Sequence, residues 1–399
     1  MRMPGRANAH LTYCLNVHPG STLAEAETAV FERARRVFEQ FARETGATGP
    51  FGLGLWLSAQ AARELSAGTR IDEFRRRLAD AGFYAFTLNG FPYGRFHGTR
   101  VKEKVYQPDW AEEARFDYTV DLISLLARLL PEGVGGSIST LPVTFKPWAT
   151  EEKLEAATRN LAEALARLEI VRDAGGKEIN LALEPEPGCY LEKAEDVIRF
   201  FHDHLRPAAR ARLGGERKEA DEALRRHIGV CLDTTHCGVM GERPASALAR
   251  LADHGIRVAK LQLGAALAVE VGPDGPPPAL HAFRDEVYLH QVLVRDGGRK
   301  AYFSDLPEAL DRQPPLRGQW RVHFHVPLSW PGEGAISTTR GQVDAEFLAQ
   351  AIEAGVEHFE SEIYTLDVFP AARASTEAIL AQDLAWLWRL FRAVGSDLH

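Results

Sequence analysis

Carboxylate and imidazole side chains stand where several apolar segments of the sequence end. Glu184 follows three apolar residues in LALEPEPG (181–188), and Asp233 does so in VCLDTTHCG (230–238), with His236 three residues later. The segments KLQLG (260–264), RVHFHVP (321–327) and HFESEIYT (358–365) also carry polar residues. These are Gln262, His323, His325, His358, Glu360, Glu362 and Tyr364. Gathered in one place, such groups could bind a cation or move a proton.

A metal ion explains why carboxylates follow apolar segments. An isolated carboxylate is costly to bury unless another group pairs with it. A divalent cation meets that need, and mixed carboxylate and imidazole ligands suit Zn²⁺ or Mn²⁺. The predicted ligands are Glu184, Asp233, His236, Gln262, His325 and Glu362. Glu184, Glu362 and His325 are also the predicted catalytic residues, because they could transfer a proton.

The same residues have structural explanations when taken one at a time. Asp233 is suited to cap a following helix, and Glu184 could pair with an arginine or cap a helix. Gln262 on a strand and His236 alone are more often structural than ligands. Their occurrence together, at consecutive strand ends, favours a shared site over independent salt bridges.

The last two segments carry paired candidates. His323 and His325 alternate along an extended segment, and the alternative is that only one of them faces the site. Of Glu360 and Glu362, at most one is expected to bind metal. Glu362 is favoured because it lies nearer the C-terminal end of its segment.

A second polar cluster lies in NGFPYGRFHGTRVKEKVY (89–106). Its glycines and proline predict a loop, and aromatic residues interleaved with hydrogen-bond donors could hold an oxygenated or phosphorylated substrate. The alternative is an ordinary solvated loop. Its polar and aromatic candidates are Asn89, Tyr93, Arg95, His97, Lys102 and Tyr106. The predicted substrate-binding residues are Asn89, Tyr93, His97 and Lys102, together with Gln262 and His323.

Short apolar runs followed by helical patterns recur along the whole chain. Nine runs compete for the eight strand places of a barrel: 10–17, 51–58, 84–91, 136–143, 179–186, 228–235, 258–265, 321–328 and 358–365. Amphipathic helices are predicted over 24–43, 150–175 and 383–395, the second capped by Thr150. This alternation predicts an α/β fold, a (β/α)8 TIM barrel.

The alternation breaks between 265 and 319. There GPDGPPPALHAF (272–283) and DLPEALDRQPPLRGQW (305–320) are rich in proline, glycine and charge. We predict a long insertion after strand seven, within a single domain spanning residues 1–399.

The composition of the chain limits which partners and which cellular compartment we expect. Acidic and basic residues are interleaved and the net charge is −8, so we expect a small-molecule substrate and no nucleic-acid partner. The four cysteines form no C-x-x-C pair and are expected to be reduced thiols. The N-terminus lacks a secretory signal and no run of about 18 apolar residues occurs. We therefore expect a cytoplasmic protein, which leaves docking on a membrane protein open.

Four of these segments resemble motifs of the xylose-isomerase-like TIM barrels, which include sugar isomerases and epimerases and DNA repair enzymes of the endonuclease IV type. GVCLDTTHCG (229–238) resembles the strand-six motif, whose Asp and His bind metal. LALEPEP (181–187), HFHV (323–326) and SEIYT (361–365) are similar to the motifs of strands five, seven and eight. Gln262 stands where many members have His, and His323 where Asp is frequent, so the resemblance implies one metal ion rather than three.

Over nearly the whole chain, the sequence is similar to the metabolite traffic protein EboE family. The segments that carry the similarity are HLTYCLNVHPG (10–20), FGLGLWLSAQAA (51–62), TLNGFPYGRFHGTRVKEKVYQPDW (87–110), GSISTLPVTFKPW (136–148), KLQLGAAL (260–267), VYLHQV (287–292) and FESEIYTLDVFP (359–370). The resemblance implies a cytosolic barrel that works with a membrane-embedded prenyltransferase-like partner in moving hydrophobic precursors.

These observations lead to three hypotheses. The first is a metal-dependent isomerase or epimerase acting on a hydroxycarbonyl or hydrophobic precursor metabolite. The second is a non-catalytic binding protein that hands such a precursor to a membrane partner, with the segment 265–319 as its docking surface. The third, a nuclease, is disfavoured by the acidic balance and the lack of a basic face.

Overall fold

The computed structural model describes residues 1–3 and 6–396, and its centre is a ring of eight parallel strands. In chain order these are β2 (Arg6–Tyr13), β3 (Phe51–Trp56), β4 (Phe83–Asn89), β5 (Gly136–Thr140), β6 (Ile179–Leu183), β7 (Ile228–Asp233), β8 (Val258–Leu263) and β15 (His358–Ser361). From β3 to β8 each strand pairs with its neighbour in sequence, and β15 lies between β8 and β2. A parallel bridge from Cys14 to Gly54 joins the two ends of the sheet. A short strand, β1 (Arg2–Met3), pairs antiparallel with β2.

The ring strands are apolar because both of their faces are covered. In β6, Ile179, Leu181 and Leu183 are fully buried, as are Val230 and Leu261 on the two following strands. Near-continuous burial is typical of parallel strands with helices outside and a packed barrel inside.

Helices surround the ring. They are α1 (Leu23–Thr28), α2 (Arg35–Thr45), α3 (Ala59–Ser66), α4 (Arg70–Asp80), α5 (Glu113–Leu129), α6 (Glu151–Gly175), α7 (Ala194–Phe200), α8 (Arg206–Leu213), α9 (Arg217–His227), α10 (Thr234–Met240), α11 (Pro244–Asp253), α12 (Leu306–Asp311), α13 (Ala345–Glu353) and α14 (Thr376–Ser396). Wider π-helical turns join α1 to α2 and α7 to α8. Thr150 caps α6 as predicted, since its hydroxyl accepts from the Lys153 amide at 3.2 Å.

The predicted insertion after the seventh barrel strand is a second, antiparallel sheet. Its strands are β9 (Ala265–Val271), β10 (Val292–Asp296), β11 (Arg299–Phe303), β12 (Gly318–Val326), β13 (Gly332–Glu333) and β14 (Ile336–Thr338), in the order β11-β10-β12-β9-β14-β13. The sheet thus extends past residue 319 to Thr338. The ninth strand candidate, 321–328, belongs to this sheet through β12, which leaves eight candidates for the barrel.

The barrel strands end earlier than the apolar runs suggested. The run 179–186 gives a strand that stops at Leu183, and the run 358–365 gives one that stops at Ser361. The polar residues that follow, Glu184 and Glu362, therefore lie in the loops at the C-terminal mouth of the barrel. That mouth is where barrel enzymes place their chemistry.

Among the described residues, no helix is both long enough and apolar enough to cross a membrane.

Candidate metal centre

Carboxylates and imidazoles from the ends of β6, β7 and β15, from α10 and from strand β12 of the insertion meet at the C-terminal mouth of the barrel. Three sets of side chains each place one ligand atom per residue within 4.8 Å of the others. The sets are Glu184–Asp233–His236, Asp233–His325–Glu362 and His236–His323–His325. All of these residues are buried. Five of the six predicted ligands are thus brought together, and His323, predicted to bind substrate, joins them.

Asp233 uses its two carboxylate oxygens differently. Oδ1 caps α10, accepting from the amides of Thr235 at 2.6 Å and His236 at 3.2 Å. Oδ2 has no hydrogen-bond partner and lies 4.0 Å from His236 Nε2 and from His325 Nδ1. Asp233 therefore caps a helix and also lies in the cluster, two roles that the sequence presented as alternatives.

The three histidines are oriented alike. Each has Nδ1 against an oxygen: His236 on the Pro185 carbonyl at 2.8 Å, His323 on Gln291 Oε1 at 2.6 Å and His325 on the Glu362 carbonyl at 3.1 Å. Both His323 and His325 face the cluster, since their Nε2 atoms are 3.0 Å apart. Metal-binding histidines characteristically use one ring nitrogen in this way and leave the other for the ion.

Glu362 and Asn16 close the other side of the cluster. Asn16 Nδ2 donates to Glu362 Oε1 at 2.7 Å. Glu362 Oε2 lies 2.9 Å from His325 Nδ1 and makes an ion pair with it, but no directed hydrogen bond reaches this oxygen. Glu360, two residues earlier, instead pairs with Lys260 inside the barrel. Of the two glutamates only Glu362 belongs to the cluster.

Gln262 faces Glu184. With its amide nitrogen turned to the carboxylate, Gln262 donates to Oε1 at 2.7 Å and to Oε2 at 3.0 Å. This geometry suits a residue that orients Glu184. Its own role as a ligand stays a prediction.

The ionisable groups of the cluster shift one another's pKa values. Burial, and then the charges of Glu362 and Asp233, raise the pKa of Glu184 well above its usual range. Burial alone would lower the pKa of His325, but Glu362 and Asp233 outweigh it and raise that pKa to about 9. His325 in turn holds the pKa of Glu362 below its usual value against the effect of burial. Three buried carboxyl groups thus surround one basic imidazole, and a divalent cation would stabilise their ionised forms.

The donor set fits such a cation. Two carboxylate oxygens of the cluster, Asp233 Oδ2 and Glu362 Oε2, are buried without a directed hydrogen bond, and both face His325. Buried oxygens of this kind normally have a partner, and a metal ion is one that three carboxylates and several imidazoles would accept.

A pocket opens over the cluster. Its polar lining includes Glu184, Glu186, His236, Glu362 and Asn16. Its apolar wall is made by Phe91, Pro92, Phe96, Val101, Val105 and Leu289. Polar groups on one side and an apolar wall on the other are the lining expected of a site for a small organic ligand.

The loop after β4 contributes unevenly to this cavity. Asn89 and Lys102 line it, but Lys102 Nζ is already held by Asp305 Oδ2 at 2.6 Å and by two main-chain carbonyls. His97 links the Asn16 carbonyl, at 2.6 Å, to the Tyr288 hydroxyl. Tyr93 lies away from the cavity lining, with its ring packed against that of Tyr118.

Sequence reasoning missed several residues of the site. Asn16 lies three residues after the end of the first barrel strand, and Glu186 is the second glutamate of the LEPEP segment, so nearness to a strand end could have identified both. Tyr288 and Gln291 come from the insertion, in the segment VYLHQV, and no periodicity pointed to them.

No protein-family model and no curated protein matches the sequence. Among solved structures, the chain is similar to a D-tagatose 3-epimerase-like protein, with a TM-score of 0.50, 11% identity and coverage of 98% of this chain and 100% of that one. The chain has the fold of a (β/α)8 TIM barrel. An L-ribulose 3-epimerase (TM-score 0.48, 12% identity, 100% and 97% covered) and the IOLI protein with a bound zinc atom (0.47, 11%, 97% and 98%) are also similar to it. The ring of eight parallel strands and the likeness to the first of these structures confirm the predicted TIM barrel.

Proposed function

We propose that the protein is a metal-dependent enzyme of the isomerase or epimerase type, acting on a hydroxycarbonyl compound. The observation that carries this proposal is the pair of buried oxygens, Asp233 Oδ2 and Glu362 Oε2, that face His236 and His325 without a directed hydrogen bond. One divalent ion, zinc or manganese, would be held by Asp233, Glu362 and His325 or by the overlapping sets with Glu184 and His236.

The proposed chemistry follows from the positions of Glu184 and Glu362. A bound divalent ion supplies polarisation of neighbouring carbonyl and hydroxyl oxygens. Glu184 and Glu362 both line the cavity, so one carboxylate can take a proton from the carbon beside a carbonyl and the other can return one. His325 lies behind Glu362 and stabilises its carboxylate. The apolar wall keeps water away from that proton.

Metal content tests the proposal. Elemental analysis of purified protein should find about one zinc or manganese per chain, and added metal at a hundredfold excess over its Kd should stabilise the fold by about 2.7 kcal/mol. Asp233→Asn keeps the oxygen that caps α10 and should abolish both effects. Glu186→Gln, a carboxyl in the same cavity but in none of the three ligand sets, is the matched control. Wild-type protein with neither bound metal nor a thermal shift would contradict the proposal.

The finer assignment is to the EboE family of metabolite traffic proteins, and it is supported by the long sequence segments quoted above. It adds a cytoplasmic location, a hydrophobic precursor as substrate and a membrane-embedded prenyltransferase-like partner. Co-purification of the tagged chain with such a partner tests this assignment.

A second candidate function is binding and handover without catalysis. The apolar wall favours it, because Phe91, Phe96 and Leu289 could hold a hydrophobic cargo without any reaction. Glu184→Ala and Asp233→Ala should then leave both the partner complex and the transport of the cargo intact. Loss of transport in these variants, with the complex preserved, would favour catalysis.

A further inference from the structure

The carboxamide of Gln291 joins the insertion to the metal centre. Gln291 directly precedes β10 and is completely buried. Its Nε2 lies 2.9 Å from the Pro187 carbonyl and 2.9 Å from the Tyr106 hydroxyl, and its Oε1 lies 2.6 Å from His323 Nδ1. Every polar atom of the Gln291 side chain is therefore engaged.

The partners of Gln291 fix the orientation of its amide. The Pro187 carbonyl can only accept a hydrogen bond, so the atom facing it must be the NH₂ group. The Tyr106 hydroxyl donates to Glu186 Oε1 at 2.9 Å, which leaves its oxygen to accept from Gln291. Both contacts place the nitrogen on the same side, and Oε1 must face His323.

This orientation determines where His323 carries its proton. A carbonyl oxygen only accepts, so Nδ1 of His323 must be the donor. The Nε2 atoms of His323 and His325 lie 3.0 Å apart, so the two nitrogens can share only one proton. With its single proton on Nδ1, a neutral His323 presents the lone pair of Nε2 to the cluster.

We propose that Gln291 is a positioning residue that holds His323 as the Nδ1-protonated tautomer and so adds the Nε2 lone pair to the donors of the metal centre. The tautomer follows from the hydrogen bonds alone, and its use as a donor rests on the proposed function. Tyr106 and Glu186 form the outer part of the same chain of hydrogen bonds.

The consequence is a preference among metals. Imidazole nitrogen suits zinc, whereas manganese favours carboxylate and other oxygen ligands. With His323 available, the cluster offers three imidazoles that lie within 4.8 Å of one another. Gln291 should therefore strengthen zinc binding more than manganese binding.

The first test is nuclear magnetic resonance of metal-free protein labelled with ¹⁵N in its histidine rings, with His323→Gln used to assign the signal. His323 should show a protonated Nδ1 in the wild type and in Gln291→Glu, which keeps an acceptor at that position. Gln291→Met removes the acceptor and should release the tautomer. A wild-type His323 protonated at Nε2 would overturn the inference whatever metal the protein binds.

The second test compares zinc and manganese affinities by titration, together with the visible spectrum of the cobalt-substituted protein. Gln291→Met should weaken zinc binding about 10- to 100-fold, with a smaller loss for manganese and a changed cobalt spectrum. Tyr106→Phe is the matched control, because the Pro187 carbonyl still orients the amide, and Gln291→Glu should restore zinc binding. Equal zinc affinity in wild type and Gln291→Met would overturn the inference. A wild-type protein that binds no metal would instead overturn the proposed function, and with it the donor role of His323.

Discussion

Lys260 Nζ lies 2.5 Å from Glu360 Oε2, and both side chains are completely buried inside the barrel. The ammonium also donates to Ser139 Oγ at 3.3 Å. The attraction of Glu360 outweighs the effect of burial on Lys260 and raises its pKa, so the ammonium stays charged. This ion pair lies on the same two strands that lead to Gln262 and Glu362, and it forms a polar layer beneath the metal centre.

Removing one partner of this pair should be far more costly than removing both. Lys260→Met leaves Glu360 charged and unpaired in the core, and it should lower the free energy of unfolding by about 3–5 kcal/mol. Lys260→Met combined with Glu360→Leu should recover most of that loss. Urea unfolding of the two variants gives both values, and a single variant as stable as the wild type would contradict the pairing.

Gly54 is confined by the same carboxylate. A methyl group at this position would overlap Glu360 Oε1 and would lie 3.1 Å from Thr12 Cγ2. Gly54→Ala should therefore cost about 1–3 kcal/mol of stability through overpacking. Gly94→Ala, where the added methyl meets open space, is the control and should be neutral by the same urea measurement.

Lys102 should hold the loop after β4 against the insertion. Its ammonium donates to the carbonyls of Asp285 and Tyr288, both at 2.7 Å, and to Asp305 Oδ2 at 2.6 Å. Lys102→Met should cost about 1–3 kcal/mol and speed proteolysis of this loop, because it leaves buried acceptors unpaired. Arg100→Met removes a cation whose ion pair with Glu286 is exposed, so it should change neither quantity. Equal proteolysis of the two variants would argue against the predicted role.

Acid should destabilise the fold through His10. Burial, followed by the N-terminal amine and Arg2, lowers its pKa to about 3. Because the unfolded chain has a pKa near 6.5, it binds more protons than the folded protein between those two values, so stability falls as the pH drops through this window. The loss from pH 7.5 to 5 should be about 2 kcal/mol for this group. His10→Gln should flatten the dependence measured by urea unfolding at the two pH values, and parallel curves would exclude His10 as its source.

The strand-end residues were predictable because the fold repeats. Parallel strands of a barrel all end at one mouth, so Glu184, Asp233 and Glu362 had to converge once the strands were recognised. Strand 321–328 could not be separated from the barrel strands, since its apolar alternation is the same and only its antiparallel partners differ. The contact between Gln291 and His323 joins an insertion to a later strand, and no local pattern encodes such a pairing.

The seam of the barrel has a mechanical consequence. Neighbouring ring strands are joined by ladders of three or more paired residues, whereas β2 and β3 meet, among the described residues, through the single bridge from Cys14 to Gly54. The ring therefore has one weakly hydrogen-bonded seam, between β2 and β3. We expect these two strands to separate before any other pair of neighbouring strands. Asn16, Gly54 and Glu360 all lie beside that seam. A cation bound at the mouth would hold this seam closed. Local opening of the barrel should therefore be least when the metal centre is occupied.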